Sequence, residues 1–176
     1  MRPHGDLHPN FYDKFMKYLI LIATKIDYRI YQEYGFPCTI GFIDGTQIRI
    51  SKPVFVPSEV RHKFICRKGF FSWNAMVVTD DNLKIRWLSC ERAGSVHDSR
   101  IWNESSLKAQ LLANYNPEQP LALIGDKGFP CSNVLLVPIK DNHIRNEADE
   151  AFNEGIFFLY HAILVVECWF PPLSSR

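Results

Sequence analysis

Residues 39–50 read TIGFIDGTQIRI, a run rich in Ile, Thr and Phe. These residue types favour extended backbone, so the run predicts a β-strand around the turn signal Asp44-Gly45. Two further strands are predicted over residues 72–79 and 84–90, and the tight turn at Asp81-Asn82 joins them as a hairpin. The chain therefore opens its sheet with three antiparallel strands.

Strands and helices alternate after the hairpin. Ser95-Val96-His97-Asp98 has the S-x-x-D form of a capping box and predicts the start of a helix. A short helix is expected over residues 105–113, a wholly apolar buried strand over 121–124, and a fifth strand over 134–139. Apolar residues at helical spacing predict a helix or a helix pair over residues 11–34 and a long last helix from residue 147 onward. This order predicts an α/β fold, a mixed five-stranded sheet flanked by helices.

The composition fits one soluble domain. The chain has 176 residues, 47% hydrophobic and 22% charged, with a net charge of +1. These values exclude a disordered protein, a fibre and a wholly basic DNA-coating protein.

Residues 1–10 lack the apolar run of a signal peptide, and residues 156–170 are too short to span a membrane. Five cysteines, far apart in the sequence, predict buried free thiols in a reducing compartment.

Acidic residues stand where a sheet can bring them together. Asp44 is on the first strand, Asp126 ends the buried fourth strand, and Glu167 is on the last helix, while Asp98 follows the third strand. Carboxylates gathered in this way repel one another unless protons or a cation neutralise them, and oxygen ligands suit Mg²⁺ or Mn²⁺. Taken singly, each acid also has a structural explanation, as a turn residue, a helix cap or a solvated helix position.

Several motifs carry a resemblance to a known family. In chain order they are GFIDGTQIRISKP, RHKFICRKGFFSWN, AGSVHDSRIWNESSL, ALIGDKGFP, VLLVPIK and FNEG…VVECWF, of which IDGT, GSVHDSRIW and GDKGFP are the most specific. Together they resemble the catalytic domain of PIF/Harbinger transposases and their domesticated nuclease relatives, over roughly residues 35–170.

The resemblance implies a ribonuclease-H-like fold and a metal-dependent DNA endonuclease. The implied acid triad is Asp44, Asp126 and Glu167, which with Asp98 would bind Mg²⁺ or Mn²⁺ for phosphodiester hydrolysis. In the family, the freed 3′ hydroxyl then attacks target DNA. Asp98 is either a further metal ligand or a residue that holds His97 and the helix start in place. The implied domains are an N-terminal helical segment (1–36), a DDE-type catalytic domain (37–170) and a tail (171–176).

Basic side chains concentrate in residues 47–68, which we call the basic segment. It holds six basic residues against one acid, Glu59, a local charge of +5. Such a charge favours contact with DNA phosphates. The basic residues are Arg49, Lys52, Arg61, Lys63, Arg67 and Lys68. Lys127, beside Asp126, is a further candidate for phosphate contact. Four aromatic residues either stack on bases or belong to the core: Phe64, Phe70, Phe71 and Trp73.

Two function hypotheses follow. The first is a metal-dependent nuclease that acts on DNA in the nucleus, with the cytoplasm as second location and, as the resemblance implies, a Myb-like DNA-binding partner protein. The second is a domesticated or decayed copy that binds DNA or protein without cutting. Ile163 stands where the family has arginine, Pro171-Pro172 follow the third acid, and few residues precede the catalytic domain. The last helix is apolar all round, so either another chain covers it, as in a homo-oligomer, or the copy is truncated or decaying.

Overall fold

The computed structural model describes residues 23–163, with side chains described for residues 23–160. Predictions about Glu167, the tail and the first part of the N-terminal segment lie outside the described residues. In chain order the elements are α1 (residues 23–34), β1 (Thr39–Arg49), a 3-10 helix (Ser58–Phe64), β2 (Ser72–Thr79), β3 (Ile85–Ala93), α2 (Asp98–Asn103), α3 (Ser106–Ala113), β4 (Ala122–Ile124), β5 (Leu135–Leu136), a second 3-10 helix (Asp141–His143) and α4 (Glu147–Ile163).

The five strands form one mixed sheet in the order β3-β2-β1-β4-β5. Strands β1, β2 and β3 pair antiparallel, whereas β1 pairs with β4 and β4 with β5 in parallel. The helical connections between β3 and β4 allow this change of direction, since parallel strands need a crossover. The predicted ribonuclease-H-like mixed five-stranded sheet flanked by helices is confirmed.

Each face of the sheet is covered by helices. Phe42 and Ile124 pack under α1 and α4, in a cluster with Ile156 and Leu159. Ile43, the next residue of β1, belongs to the opposite cluster, which contains residues of α2 and α3. Side chains of a strand alternate between the two faces, so this assignment fixes where every residue of β1 points.

Helix α1 ends where the sequence predicted. Gly35 has a φ of +69°, the left-handed conformation that glycine adopts without steric cost, and its amide donates to the Tyr31 carbonyl at 2.9 Å. The side chain of Arg29 then ties α1 to the β2–β3 turn through a hydrogen bond from Nε to Asp81 Oδ2 at 2.6 Å.

Two local predictions are corrected. The strand predicted around Asp44-Gly45 is present, but the turn alternative for Asp44 is wrong, because β1 runs through both residues and pairs there with β2. Ser95 does not cap α2: His97 occupies the N-cap position without a side-chain hydrogen bond. Ser105, by contrast, caps α3 by accepting a hydrogen bond from the Lys108 amide at 3.1 Å.

Three further predictions are corrected in part. Strand β5 is limited to Leu135–Leu136, and β3 extends to Ala93. The described cysteines are free, yet only Cys66 is buried, while Cys90 and Cys131 are exposed. Between residues 23 and 163, no helix is long and apolar enough to cross a membrane.

Candidate functional site

The sheet register brings Asp44 and Asp126 to the same level. Phe42 of β1 pairs in parallel with Ile124 of β4, and each aspartate stands two residues beyond that pair. The chain continues alongside β5 after β4 ends, because the Gly125 amide donates a hydrogen bond to the Leu136 carbonyl at 2.9 Å. Adjacent strands lie roughly 5 Å apart and side chains repeat every two residues. Both carboxylates therefore leave the same edge of the sheet on the α4 face.

The Asp44 carboxylate is partly buried and held by two donors. Its Oδ1 accepts from the Gly45 amide at 2.8 Å, and the Tyr160 hydroxyl of α4 donates to the same carboxylate. Burial raises the pKa of Asp44 to about 6, the two hydrogen bonds oppose that rise, and the charges of Asp126 and Asp98 add to it. The three carboxylates, which we call the acid cluster, thus interact electrostatically.

Asp98 approaches from the opposite face of the sheet, at the start of α2. Its Oδ1 accepts a hydrogen bond from Asn74 Nδ2 at 2.7 Å, and the same amide nitrogen donates to the Val96 carbonyl at 2.8 Å. The carboxylate lies so close to Gly45 that a methyl group at residue 45 would overlap it. Gly45 is therefore required by a close approach, whereas the sequence suggested a turn.

The environment of Asp98 links the acid cluster to the basic segment. Burial raises the pKa of Asp98, the Asn74 hydrogen bond opposes the rise, Asp126 increases it, and the charges of His97 and Arg67 lower it. In addition, the Ser95 amide donates to the Lys63 carbonyl at 3.1 Å. The loop between β1 and β2 consequently packs beside the turn that carries Asp98.

The other predicted phosphate-binding residues are mostly exposed. Lys63, Arg67 and Lys68 are exposed, whereas Arg61 is partly buried and its Nε donates to the Val56 carbonyl at 3.1 Å. Lys127 pairs with Asp141 at 2.7 Å on the surface. An exposed pair of this kind contributes little to stability and leaves the lysine able to exchange partners.

The aromatic residues divide between core and surface. Phe64 is buried and packs edge-to-face on Trp73, with ring centroids 5.0 Å apart. Its proposed role in stacking on bases is therefore wrong, because core packing occupies the ring. Phe70 lies beneath the guanidinium of Arg49, which is 4.1 Å from the ring centroid.

The donor chemistry of Asp44 and Asp126 fits a hard divalent cation. Both supply carboxylate oxygens, and the charge of Asp126 adds to the burial that raises the pKa of Asp44, so a cation between them would relieve their repulsion. Among the residues that the structure describes, no group of three or more His, Cys, Asp or Glu side chains could hold a metal ion. The pair therefore needs a further ligand, and Glu167, the predicted one, lies outside the described residues.

Two site residues were missed at the sequence level. Tyr160 follows Ile156 by four residues, so its hydroxyl lies on the apolar stripe of α4 that faces the sheet. Asn74 shares a strand face with Met76 and Val78, yet it is amide-bearing and only 2% exposed. A polar group at a position that the periodicity assigns to the core was the available signal in both cases.

Comparison with known proteins identifies the family. Residues 43–171 match the family model described as DDE superfamily endonuclease. Proteins named "Putative nuclease HARBI1" from Bos taurus and Homo sapiens are 28% and 26% identical over 142 residues, 81% of this chain and 38% of each relative. The Xenopus laevis protein of that name is 24% identical over 62% of this chain and 30% of its own length.

The chain thus spans less than two fifths of the length of these relatives. No solved structure matches it significantly. The family match runs from the second half of β1 through α4, includes Asp44, Asp98 and Asp126, and agrees with the resemblance carried by the sequence motifs. The chain belongs to the DDE superfamily endonuclease family.

Proposed function

We propose that this domain hydrolyses phosphodiester bonds in DNA with a divalent cation, Mg²⁺ or Mn²⁺, held by Asp44 and Asp126, with Glu167 as a third carboxylate. The observation that carries the proposal is the parallel register of β1 and β4, which brings two acidic side chains to one edge of the sheet. Carboxylates gathered without a compensating charge are typical of functional sites, because each raises the cost of ionising the other.

The chain's own groups orient the carboxylates. The Gly45 amide and the Tyr160 hydroxyl fix Asp44, and the Gly128 amide donates to Asp126 Oδ1 at 3.0 Å. Outer hydrogen bonds of this kind commonly orient metal-binding carboxylates. A bound cation would neutralise the negative charge that develops on the phosphate during cleavage. Asp98, aligned by Asn74, adds negative charge beside the pair and is a candidate for a further ligand.

The basic segment would hold the DNA. Lys63, Arg67 and Lys68 are exposed on the loop that packs against the Asp98 turn, so phosphates bound there lie next to the acid cluster. Contacts of this kind fix the position of the duplex but carry no sequence information. Lys127, which follows Asp126 directly, would reach a phosphate by exchanging its surface partner Asp141. A DNA substrate favours the nucleus as the location.

A second candidate function is DNA binding without cleavage. It is favoured by Ile163, which stands where the resemblance implies an arginine, and by the exposed cations of the basic segment. On this hypothesis the basic segment binds DNA and the acid cluster takes no part in cleavage.

A nicking assay separates the two functions. Supercoiled plasmid is incubated with the chain in Mg²⁺, Mn²⁺ or Ca²⁺, with Asp126→Ala as the test variant and Glu118→Gln, a change at an exposed acid outside the acid cluster, as the control. The nuclease proposal predicts nicking in Mg²⁺ or Mn²⁺, little in Ca²⁺, and a loss to background in Asp126→Ala. Plasmid binding without nicking under every cation would support the second candidate and contradict the first.

A further inference from the structure

The basic segment carries a protruding apolar tip, formed by Val54 and Phe55. The side chains are 81% and 68% exposed, the highest values among the exposed large apolar residues of the described chain. Single exposed apolar side chains are common on protein surfaces and need no explanation. Two adjacent ones at the tip of a loop that is otherwise rich in lysine and arginine are not explained by solvation.

The tip is braced from below. The Phe55 ring packs edge-to-face on the buried Phe64, with centroids 6.0 Å apart and an interplanar angle of 83°. Phe64 in turn packs on Trp73 of β2. Next to the tip, Arg61 Nε donates to the Val56 carbonyl at 3.1 Å, which closes the loop on itself. The exposed ring is thus held in one place, and a partner that binds it would lose little side-chain entropy.

The surroundings of the tip are positively charged. Residues 47–68 carry a net charge of +5, and Lys52 is exposed two residues before Val54. The same segment contacts the Asp98 turn through the hydrogen bond from the Ser95 amide to the Lys63 carbonyl. The ring therefore stands on the same loop as candidate phosphate-binding side chains, and that loop contacts the turn that carries Asp98.

An exposed aromatic ring among cations fits a nucleic-acid strand whose bases are accessible. Proteins that bind single strands combine a basic surface with aromatic rings on which bases stack. In a paired duplex the bases stack on one another and present only their edges, so a ring can stack on a base only where the strand is open or kinked. A protein partner would explain the apolar tip, but only a strongly acidic one would also match the positive charge around it, whereas every DNA strand carries that negative charge.

We propose that Phe55 stacks on an unpaired base of DNA held against the basic segment, next to the phosphate to be cut. This inference rests on the proposed DNA-binding function and deepens it by naming the form of the substrate. The domain would prefer DNA that is locally melted or mismatched over a perfect duplex. Phe55 would supply that preference, whereas the basic side chains would supply affinity for any DNA.

Binding measurements on two DNA substrates that differ only in a central mismatch test the proposal. Fluorescence anisotropy compares a labelled duplex with the same duplex carrying a short central mismatch, for the unchanged chain, Phe55→Ala, Phe55→Trp and the matched control Phe158→Ala, whose ring is 65% exposed on α4. Phe55→Ala is expected to bind the mismatched DNA roughly 5- to 100-fold more weakly, since base stacking on one ring has that value. Its affinity for perfect duplex and its salt dependence should stay unchanged.

Three outcomes decide the matter. Loss of the mismatch preference in Phe55→Ala, with recovery in Phe55→Trp and no loss in Phe158→Ala, supports the proposal. Equal mismatch binding by Phe55→Ala and the unchanged chain overturns it and leaves the tip as a protein contact, while DNA binding itself stands if Arg67→Ala with Lys68→Ala still weakens every complex. Where that double variant also has no effect, the proposed DNA-binding function fails together with the stacking.

Discussion

The acid cluster and the basic segment are neighbours that are held in place by different means. Asp44 and Asp126 are fixed by the register of paired strands, and backbone amides or buried side chains hold their carboxylates. The cations of the basic segment stand on a loop between β1 and β2, and Lys63, Arg67 and Lys68 are exposed.

This difference has an energetic consequence. Asp44 and Asp98 are partly buried and have raised pKa values, so their charges reduce the stability of the folded chain until something neutralises them. Asp126 and the exposed cations of the basic segment have almost no such effect. Substitutions of Asp44 or Asp98 should therefore change stability, and substitutions of Asp44 or Asp126 should change cation binding. Substitutions in the basic segment should change only DNA affinity.

The largest expected effect is on stability at neutral pH. The folded pKa of Asp44 is about 6, above its ordinary value of 3.8, so the folded state binds a proton more tightly than the unfolded state. Stability therefore falls as pH rises from about 4 to about 6 and the deficit is complete above that window, where two pKa units correspond to about 2–3 kcal/mol. In the absence of metal, Asp44→Asn should be more stable than the unchanged chain by up to that amount at pH 8, with little gain at pH 4.

Urea unfolding in EDTA at the two pH values measures this difference. Lys63→Gln, a charge change at an exposed residue of the basic segment, serves as the control and should give the same small difference at both pH values. A stability gap for Asp44→Asn that does not vary with pH would show that burial does not perturb this carboxyl.

A second effect comes from the close approach of Asp98 to β1. Gly45→Ala places a methyl group on the Asp98 carboxylate, and relief of that overlap should cost about 1–3 kcal/mol of stability. Gly155→Ala is the matched control, because the nearest atom to its new methyl group is a Phe36 ring carbon at 3.4 Å, an ordinary contact. That variant should be neutral or gain up to about 1 kcal/mol from better helix propensity. Thermal unfolding of both proteins gives the comparison, and equal melting temperatures would argue against the close approach.

The smallest effect on stability is expected in the basic segment. Replacing Arg67 and Lys68 together by alanine should change the free energy of unfolding by no more than about 0.5 kcal/mol. The same variant should weaken binding to any duplex and reduce the slope of log K against log salt by about 0.9 for each phosphate that is no longer neutralised. A titration series across salt concentrations measures the slope. Unchanged slope and affinity would mean that neither side chain binds a phosphate.

The sequence predicted the positions of the strands and helices well, but it predicted less well how they pair and pack. Alternating and apolar runs indicated the five strands, and the S-x-x-D segment indicated the start of α2. The turn signal of Asp44-Gly45 has no effect, because pairing with β2 holds the backbone of both residues extended, which local preference cannot register. The 3-10 helix at Ser58–Phe64 was not predicted, because it has no periodic pattern to reveal it.

For the candidate site, too, the sequence identified residues but not their placement in space. Motifs located Asp44, Asp98 and Asp126, but their relative placement depends on pairing between β1 and β4, which are far apart in the chain. Tyr160 and Asn74 belong to runs that look like ordinary core, and only the folded structure shows which carboxylate each contacts. Glu167 stays a prediction, as do the boundaries of the N-terminal segment, the catalytic domain and the tail.

The most direct test of the account is Mn²⁺ binding, because the central claim is that Asp44 and Asp126 share a divalent cation. Equilibrium dialysis should show saturable binding to the unchanged chain and to Glu118→Gln, and strong loss in both Asp44→Asn and Asp126→Asn. Asparagine preserves the shape of each side chain while removing the charge that a hard cation needs. Mn²⁺ binding of equal strength in all four proteins, or none in any of them, would contradict the account.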